Sequence, residues 1–333
     1  MHRSDVTASQ VSETEKIDSP RTQMRKQFPS FFDRPSSEAV RHVLLDVKEL
    51  KGGLTNRSYK ALTLSNEYVA RLPGAGSDDF IDRENESHDT QVAFEAGTTA
   101  EVVYDEHNGK KITRFIKNAV PMTVAHFKNH EIIEKAATVV AKLHQSPRRF
   151  SGDVDVFARN KRMLQVLSER EYNIPEKYHQ VAKRFDDIEA LFDTFSIVKV
   201  PCHNDTTPSN LILADDEMLL IDFEYGGNND PVWDLACLSM EAEFTVEQDQ
   251  VLLRAYYGGE VDPDVLKRFA LYKPVVEYWV GLWCLVRLSG LSKDDDEQVL
   301  RDMEAVRFQR GLNLLESDEV RACLQPARRV TFA

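Results

Sequence analysis

His203-Asn204-Asp205-Thr206-Thr207-Pro208-Ser209-Asn210, followed after one short apolar stretch by Asp222-Phe223-Glu224, is the part of this sequence that decides its fold. It gathers a histidine, an aspartate and an asparagine in one loop with the spacing H-x-D-x-x-x-x-N. A second aspartate follows twelve residues after the asparagine. Between them, Leu211-Ile212-Leu213 and Met218-Leu219-Leu220-Ile221 read as two strands joined by a turn at Asp215-Asp216. The hairpin folds Asp222 back beside the loop. Phosphoryl transfer from ATP needs such a set: a carboxylate near the attacking hydroxyl, and oxygen ligands that hold magnesium against the phosphates. The loop supplies the first carboxylate and a neutral ligand, and the strand end supplies a second acid; hard oxygen donors of this kind suit magnesium. His203 reads as a support of the loop and not as a proton carrier. The bland alternative is a surface loop with an Asx turn and a solvated hairpin.

Working outward toward the N-terminus, the chain turns β-rich. A strand-like run over His42–Leu50 leads into Gly52-Gly53-Leu54-Thr55-Asn56, and two further strands flank a turn at Ser65-Asn66. A helix is expected from about Ile81 to Gly97, a residue suited to end it, and then a hairpin across Glu106–Gly109. Residues 1–27 are rich in Ser, Thr, Glu, Asp and Arg and are expected to be a tail. Residues 28–118 are expected to form a small lobe and 119–333 a larger, mainly helical one, beginning with an amphipathic helix through Ile132, Ile133, Ala136, Val139, Val140 and Leu143. Further on, Trp279 and Trp283 stand four residues apart, hence on one helix face, with Glu277 and Tyr278 beside them. They can pack a core or cage a quaternary ammonium, which donates no hydrogen bonds and is held by aromatic faces.

HNDTTPSN together with LLIDFEYGGNNDPVWDLA resembles the choline/ethanolamine kinase family, within the aminoglycoside-phosphotransferase and protein-kinase-like group, and most of all the bacterial choline kinases. The likeness runs unevenly from about Gly52 to Trp283. It implies an α+β, two-lobed protein kinase-like fold, with a small antiparallel lobe that binds ATP and a helical lobe that binds the acceptor. It makes Asp205 the catalytic base or hydroxyl-orienting acid, and Asn210 and Asp222 the magnesium ligands. Asp234 resembles the family's buried aspartate that braces the catalytic loop, although a helix N-cap is the competing role. On the nucleotide side the turn with Gly53, Thr55 and Asn56 is similar to the family's phosphate-covering turn. Arg71 stands where protein kinases carry a strand-borne lysine, with Glu86 or its rival Glu84 as partner, and adenine is expected against Thr113–Ile116, including Phe115. The acceptor pocket is expected from Glu224, Tyr225, Tyr278, Trp279 and Trp283.

The chain's 333 residues are 42% hydrophobic and carry a net charge of −13, which disfavours binding to nucleic acid or anionic membranes. Cys202, Cys237, Cys284 and Cys323 form no CxxC pair and read as reduced thiols. No apolar run has the length of a membrane span, and a cytoplasmic location is expected. The expected partner is a small amino alcohol, choline before ethanolamine, an aminoglycoside or another alcohol. From a different class, a catalytically dead ATP-binding regulator is the rival, and the intact Asp205, Asn210 and Asp222 speak against it. Oligomeric state is not legible.

Overall fold

The computed structural model describes residues 19–32, 42–50, 56–74, 80–292 and 295–325. Gly53 and Thr55 lie outside the described residues. The chain begins with two short helices, α1 (Pro20–Gln27) and α2 (Pro29–Phe32), and continues into strands β1 (Leu44–Leu50), β2 (Asn56–Thr63) and β3 (Glu67–Pro73). Helix α3 (Arg83–Glu95) and strands β4 (Val102–Asp105) and β5 (Lys111–Arg114) complete the small lobe. Its five strands are antiparallel in the order β1-β2-β3-β5-β4.

Strand alternation gives this sheet two different faces. On one, Val47, Tyr59, Ala61, Tyr68, Ala70 and Ile112 are buried against Met24, Phe28, Phe31 and Phe32 of the N-terminal helices. The tail expected over residues 1–27 is therefore corrected from Ser19 onward. Ser19 caps α1 by accepting the N–H of Thr22, and Met24 is buried. Composition concealed this because a polar helix needs only one apolar stripe to dock. On the opposite face, the register aligns Arg71 with Ser58 and Lys111, and Val69 with Thr113. That face looks toward the larger lobe.

Helix α3 starts where Asp82 accepts the N–H groups of Glu84 and Asn85 at 3.1 and 3.0 Å. It ends at Gly97, whose φ of +69° lets the N–H of Thr98 reach back to Ala93 O at 3.0 Å.

The larger lobe opens with β6 (Val120–Pro121), then α4 (His130–His144), α5 (Val156–Glu169) and α6 (Glu176–Phe192). Strands β7 (Val200–Cys202), β8 (Leu211–Ala214), β9 (Glu217–Leu220) and β10 (Gly227–Asn229) follow, and β6 pairs with β8 at the edge of the hairpin. Five helices finish the described chain: α7 (Pro231–Glu241), α8 (Val246–Tyr257), α9 (Pro263–Leu288), α10 (Glu297–Glu316) and α11 (Asp318–Leu324). The core is continuous from α4 to α11 and centres on α9, which is buried around most of its circumference. Helix α4 buries the apolar face its spacing predicts, with Ile132 half-buried at the margin. Among the described residues no helix is long and apolar enough to cross a membrane. All four cysteines are free; Cys202, Cys237 and Cys284 are buried and Cys323 is half-buried.

Candidate active site

The loop after β7 is fixed from beneath by Asp234, in the first turn of α7. Its two carboxylate oxygens accept the backbone N–H groups of Asn204 and His203, each at 2.7 Å, and Thr206 Oγ1 donates to its carbonyl at 2.6 Å. The cap of α7 is instead Asp230, which accepts the N–H of Val232, so the capping alternative for Asp234 falls. Asp234 is in turn held by His144 Nε2 at 3.0 Å, and Tyr256 OH donates to the other nitrogen of that ring at 2.7 Å. A fully buried carboxylate that accepts three hydrogen bonds is a rigid anchor.

Asn204 takes a left-handed φ of +64°, which asparagine tolerates better than most residues. Its amide donates to the carbonyls of Cys202, Tyr225 and Gly227 at 3.1–3.2 Å, sewing the loop to β10 and to the segment after Asp222. His203 donates from Nε2 to Ile221 O at 2.8 Å and accepts the N–H of Asp205 at Nδ1. Burial lowers its pKa, which keeps it neutral in the supporting role expected of it.

These bonds set the reactive groups. Asn210 Nδ2 donates to the carboxylate and to the carbonyl of Asp205, both at 2.9 Å, so that its Oδ1 is the acceptor atom these bonds leave over. The left-handed Asp215-Asp216 turn returns the chain through β9 to Asp222, itself at φ +66°. Burial first, then the charges of Glu241, Glu224 and Asp222, push the Asp205 carboxyl well above the usual carboxylate range.

The small lobe meets this group from above. The Arg71 guanidinium bonds Glu86 on one side and Asp222 on the other. Burial alone would lower the Arg71 pKa; the charges of Asp222, Glu86 and Glu224 outweigh it and hold the cation. Glu86, and not the exposed Glu84, is thus the partner. It also takes Lys111 Nζ at 2.7 Å and Arg83 Nη1 at 2.8 Å. Against the cost of burial, Arg71 and Lys111 hold its carboxyl down to about 2. Asn56 Nδ2 crosses the cleft to Asp222 at 3.1 Å and to Glu224 at 2.9 Å. Thr113 lies on the same sheet face as Arg71 and Lys111. Phe115 spends its N–H on Glu67 O, and Lys60 Nζ lies 3.8 Å from its ring centroid. The oxygens of Asn210 and Asp222 are hard donors, which fits magnesium, and the cations at Arg71, Lys111 and Arg83 gather on the same wall of the cleft around Glu86, which fits a polyphosphate.

On the acceptor side, Tyr225 and Trp279 meet edge-to-face with centroids 5.6 Å apart, and both line an opening with Trp283. The profile of the choline/ethanolamine kinase family matches residues 47–257, more than half of the chain. The chain belongs to that family. Protein LicA of Haemophilus influenzae is 30% identical over 211 residues, a match spanning 62% of this chain and 61% of the relative. A choline/ethanolamine kinase family protein from Mesorhizobium loti has a solved structure that is 30% identical, with a TM-score of 0.77 and coverage of 90% of this chain and 98% of the other. The choline kinase LicA of Streptococcus pneumoniae shares the fold at 24% identity, with a TM-score of 0.74 and coverage of 89% and 98%. The two-lobed kinase-like architecture expected from the sequence is the architecture of these relatives.

Within this choline/ethanolamine kinase framework, Tyr278 is a correction. It stacks on Phe185 with centroids 3.9 Å apart, on a side of α9 away from Trp279, because consecutive helical residues point about 100° apart. Glu277 likewise faces α10, with Arg310 Nη2 at 3.1 Å. Sequence reasoning also missed Glu241, whose charge reaches Asp205 and which Arg307 holds at 2.7 Å. Its spacing of seven from Asp234 on α7 was the available signal. Lys111 was missed as well, although it shares the strand face of Thr113.

Proposed function

We propose that this chain transfers the γ-phosphoryl group of ATP to the hydroxyl of a small amino alcohol, with choline, giving phosphocholine and ADP, as the first acceptor to test. The observation that carries the proposal is the convergence of Asp205, Asn210 and Asp222 from one loop and hairpin onto a cleft whose other wall presents Arg71 paired to Glu86. The alcohol oxygen attacks the γ-phosphorus in line, the bond to the bridging oxygen breaks, and ADP leaves. Asp205, held by the amide of Asn210, orients the hydroxyl and takes its proton late. Magnesium, held by Asn210 and Asp222 when bound, neutralises charge on the phosphates. Arg71, Arg83 and Lys111 position the triphosphate, and Asn56 ties the phosphate-covering strand to Asp222. Tyr225, Trp279 and Trp283 supply aromatic surface for an ammonium, with Glu224 beside them. An aminoglycoside is a less suitable acceptor for an opening walled by these rings. A dead regulator has no use for the intact acid–amide–acid set.

The test is to incubate the protein with ATP, magnesium and a panel of amino alcohols and to measure ADP release. Acceptor-dependent release is expected. ADP release that ignores every alcohol, or ATP binding without release, would overturn the proposal.

A further inference from the structure

The opening beside Tyr225 and Trp279 holds about 480 Å³ and is also lined by Phe80, Asp82, Trp283 and, from α5, Arg159. Arg159 is the unexpected member, because a pocket for a bare ammonium has no use for a second cation. Its Nη2 donates to Tyr225 O at 3.3 Å, and its guanidinium carbon lies 5.9 Å from the centroid of the Tyr225 ring. Among the described residues it has no ion-pair partner, whereas its neighbour Arg162, at the rim, is paired to Glu169 at 3.0 Å. Burial accordingly lowers the Arg159 pKa, with only Tyr225 acting the other way. Arg159 thus places positive charge at the α5 side of the opening, while Asp82 is the acid in its lining and Glu224 lies next to Tyr225 in the chain. A half-buried guanidinium with no carboxylate beside it among the described residues is matched in charge and shape by a ligand's carboxylate, through a forked pair of hydrogen bonds.

We propose that the acceptor is a hydroxylated zwitterion: its ammonium lies toward Glu224 and Trp279, and its carboxylate is bound by Arg159. This rests on the kinase reading above and specifies its substrate class. The acid end also explains how one pocket can carry aromatic rings and a half-buried cation side by side.

The experiment measures ADP release, with ATP and magnesium, for choline, L-homoserine and N,N,N-trimethyl-L-homoserine as acceptors. It uses the full chain and its Arg159→Gln and Arg159→Lys variants, with melting followed by circular dichroism to verify folding. In the unaltered protein at least one zwitterion should exceed choline in kcat/KM by about tenfold or more. Arg159→Gln should raise the zwitterion's KM about thirtyfold or more and lower that of choline, and Arg159→Lys should recover part of the loss. Choline preferred over both zwitterions overturns the inference and leaves the kinase reading standing. A zwitterion whose KM ignores Arg159→Gln overturns it too. Refusal of every alcohol overturns both.

Discussion

At the scale of single residues, Asp205 and Asp222 share one cleft and differ in surroundings. Asp222 faces Arg71 and Asn56, whereas Asp205 is opposed by acids and has the amide of Asn210 as its partner. An Asp205→Asn substitution keeps the shape and removes the proton acceptor. It should lower kcat by about a hundredfold or more while ATP still binds, as read by ADP release alongside nucleotide titration. The residues that gave themselves away in the sequence did so because their chemistry is local. One loop and one hairpin place Asp205, Asn210 and Asp222, and the spacing carries the geometry. Arg159 and Tyr278 were opaque for the opposite reason. What they touch is set by how α5 and α9 are rotated against the rest of the lobe, and a short stretch of sequence does not hold that angle.

At the scale of elements, the catalytic loop is only as firm as the helix that supports it. Asp234 grips two consecutive backbone N–H groups and is itself held by His144, so the loop, α7, α4 and α8 meet at one carboxylate. Asp234→Asn puts an amide donor where an acceptor is needed. It should cost about 2–4 kcal/mol in thermal unfolding, since a buried N–H loses its partner, and should lower kcat as well. A variant that melts with the parent would show the brace to be dispensable. The contact between α9 and α10 is similarly exacting: a Cβ at Gly311 would lie 3.2 Å from Glu277 Cβ and 3.6 Å from Pro274 O. Gly311→Ala therefore sets this close contact against the roughly 1 kcal/mol that alanine gains over glycine inside a helix, and Tm should move by no more than the equivalent of about 1 kcal/mol; a larger rise would show that Glu277 gives way freely. Helix α3 begins at Arg83, after the Asp82 cap, and not near Ile81, but its end at Gly97 and the succession of strands and helix along the small lobe were legible, because turns and glycine caps are local codes. The docking of α1 and α2 was not, since Met24, Phe28, Phe31 and Phe32 acquire meaning only against the sheet they cover.

At the scale of the whole molecule, folding confines acids within the helical core, and pH should register it. Glu277 lies between Arg310 and Arg307, neither of which reaches it with hydrogen-bond alignment, and burial prevails over their charges to raise its carboxyl to about 7. The folded state therefore holds a proton that the unfolded chain releases near its ordinary 4.5. Stability from this group is full below 4.5 and is lost as pH rises from there to about 7. Its share is up to about 3 kcal/mol. Glu277→Gln should flatten the dependence of Tm on pH between these limits; an unchanged slope would assign it to other groups.

The cysteines add a built-in gauge of that same transition. Three of the four thiols are sealed within the fold, and burial further raises the pKa of each, so the reactive thiolate is scarce. A chromogenic alkylating or disulfide-exchange reagent should titrate one equivalent, at Cys323, in the native protein and four in denaturant. The slow arrival of the remaining three would clock how often the helical lobe opens, without any label or engineered probe.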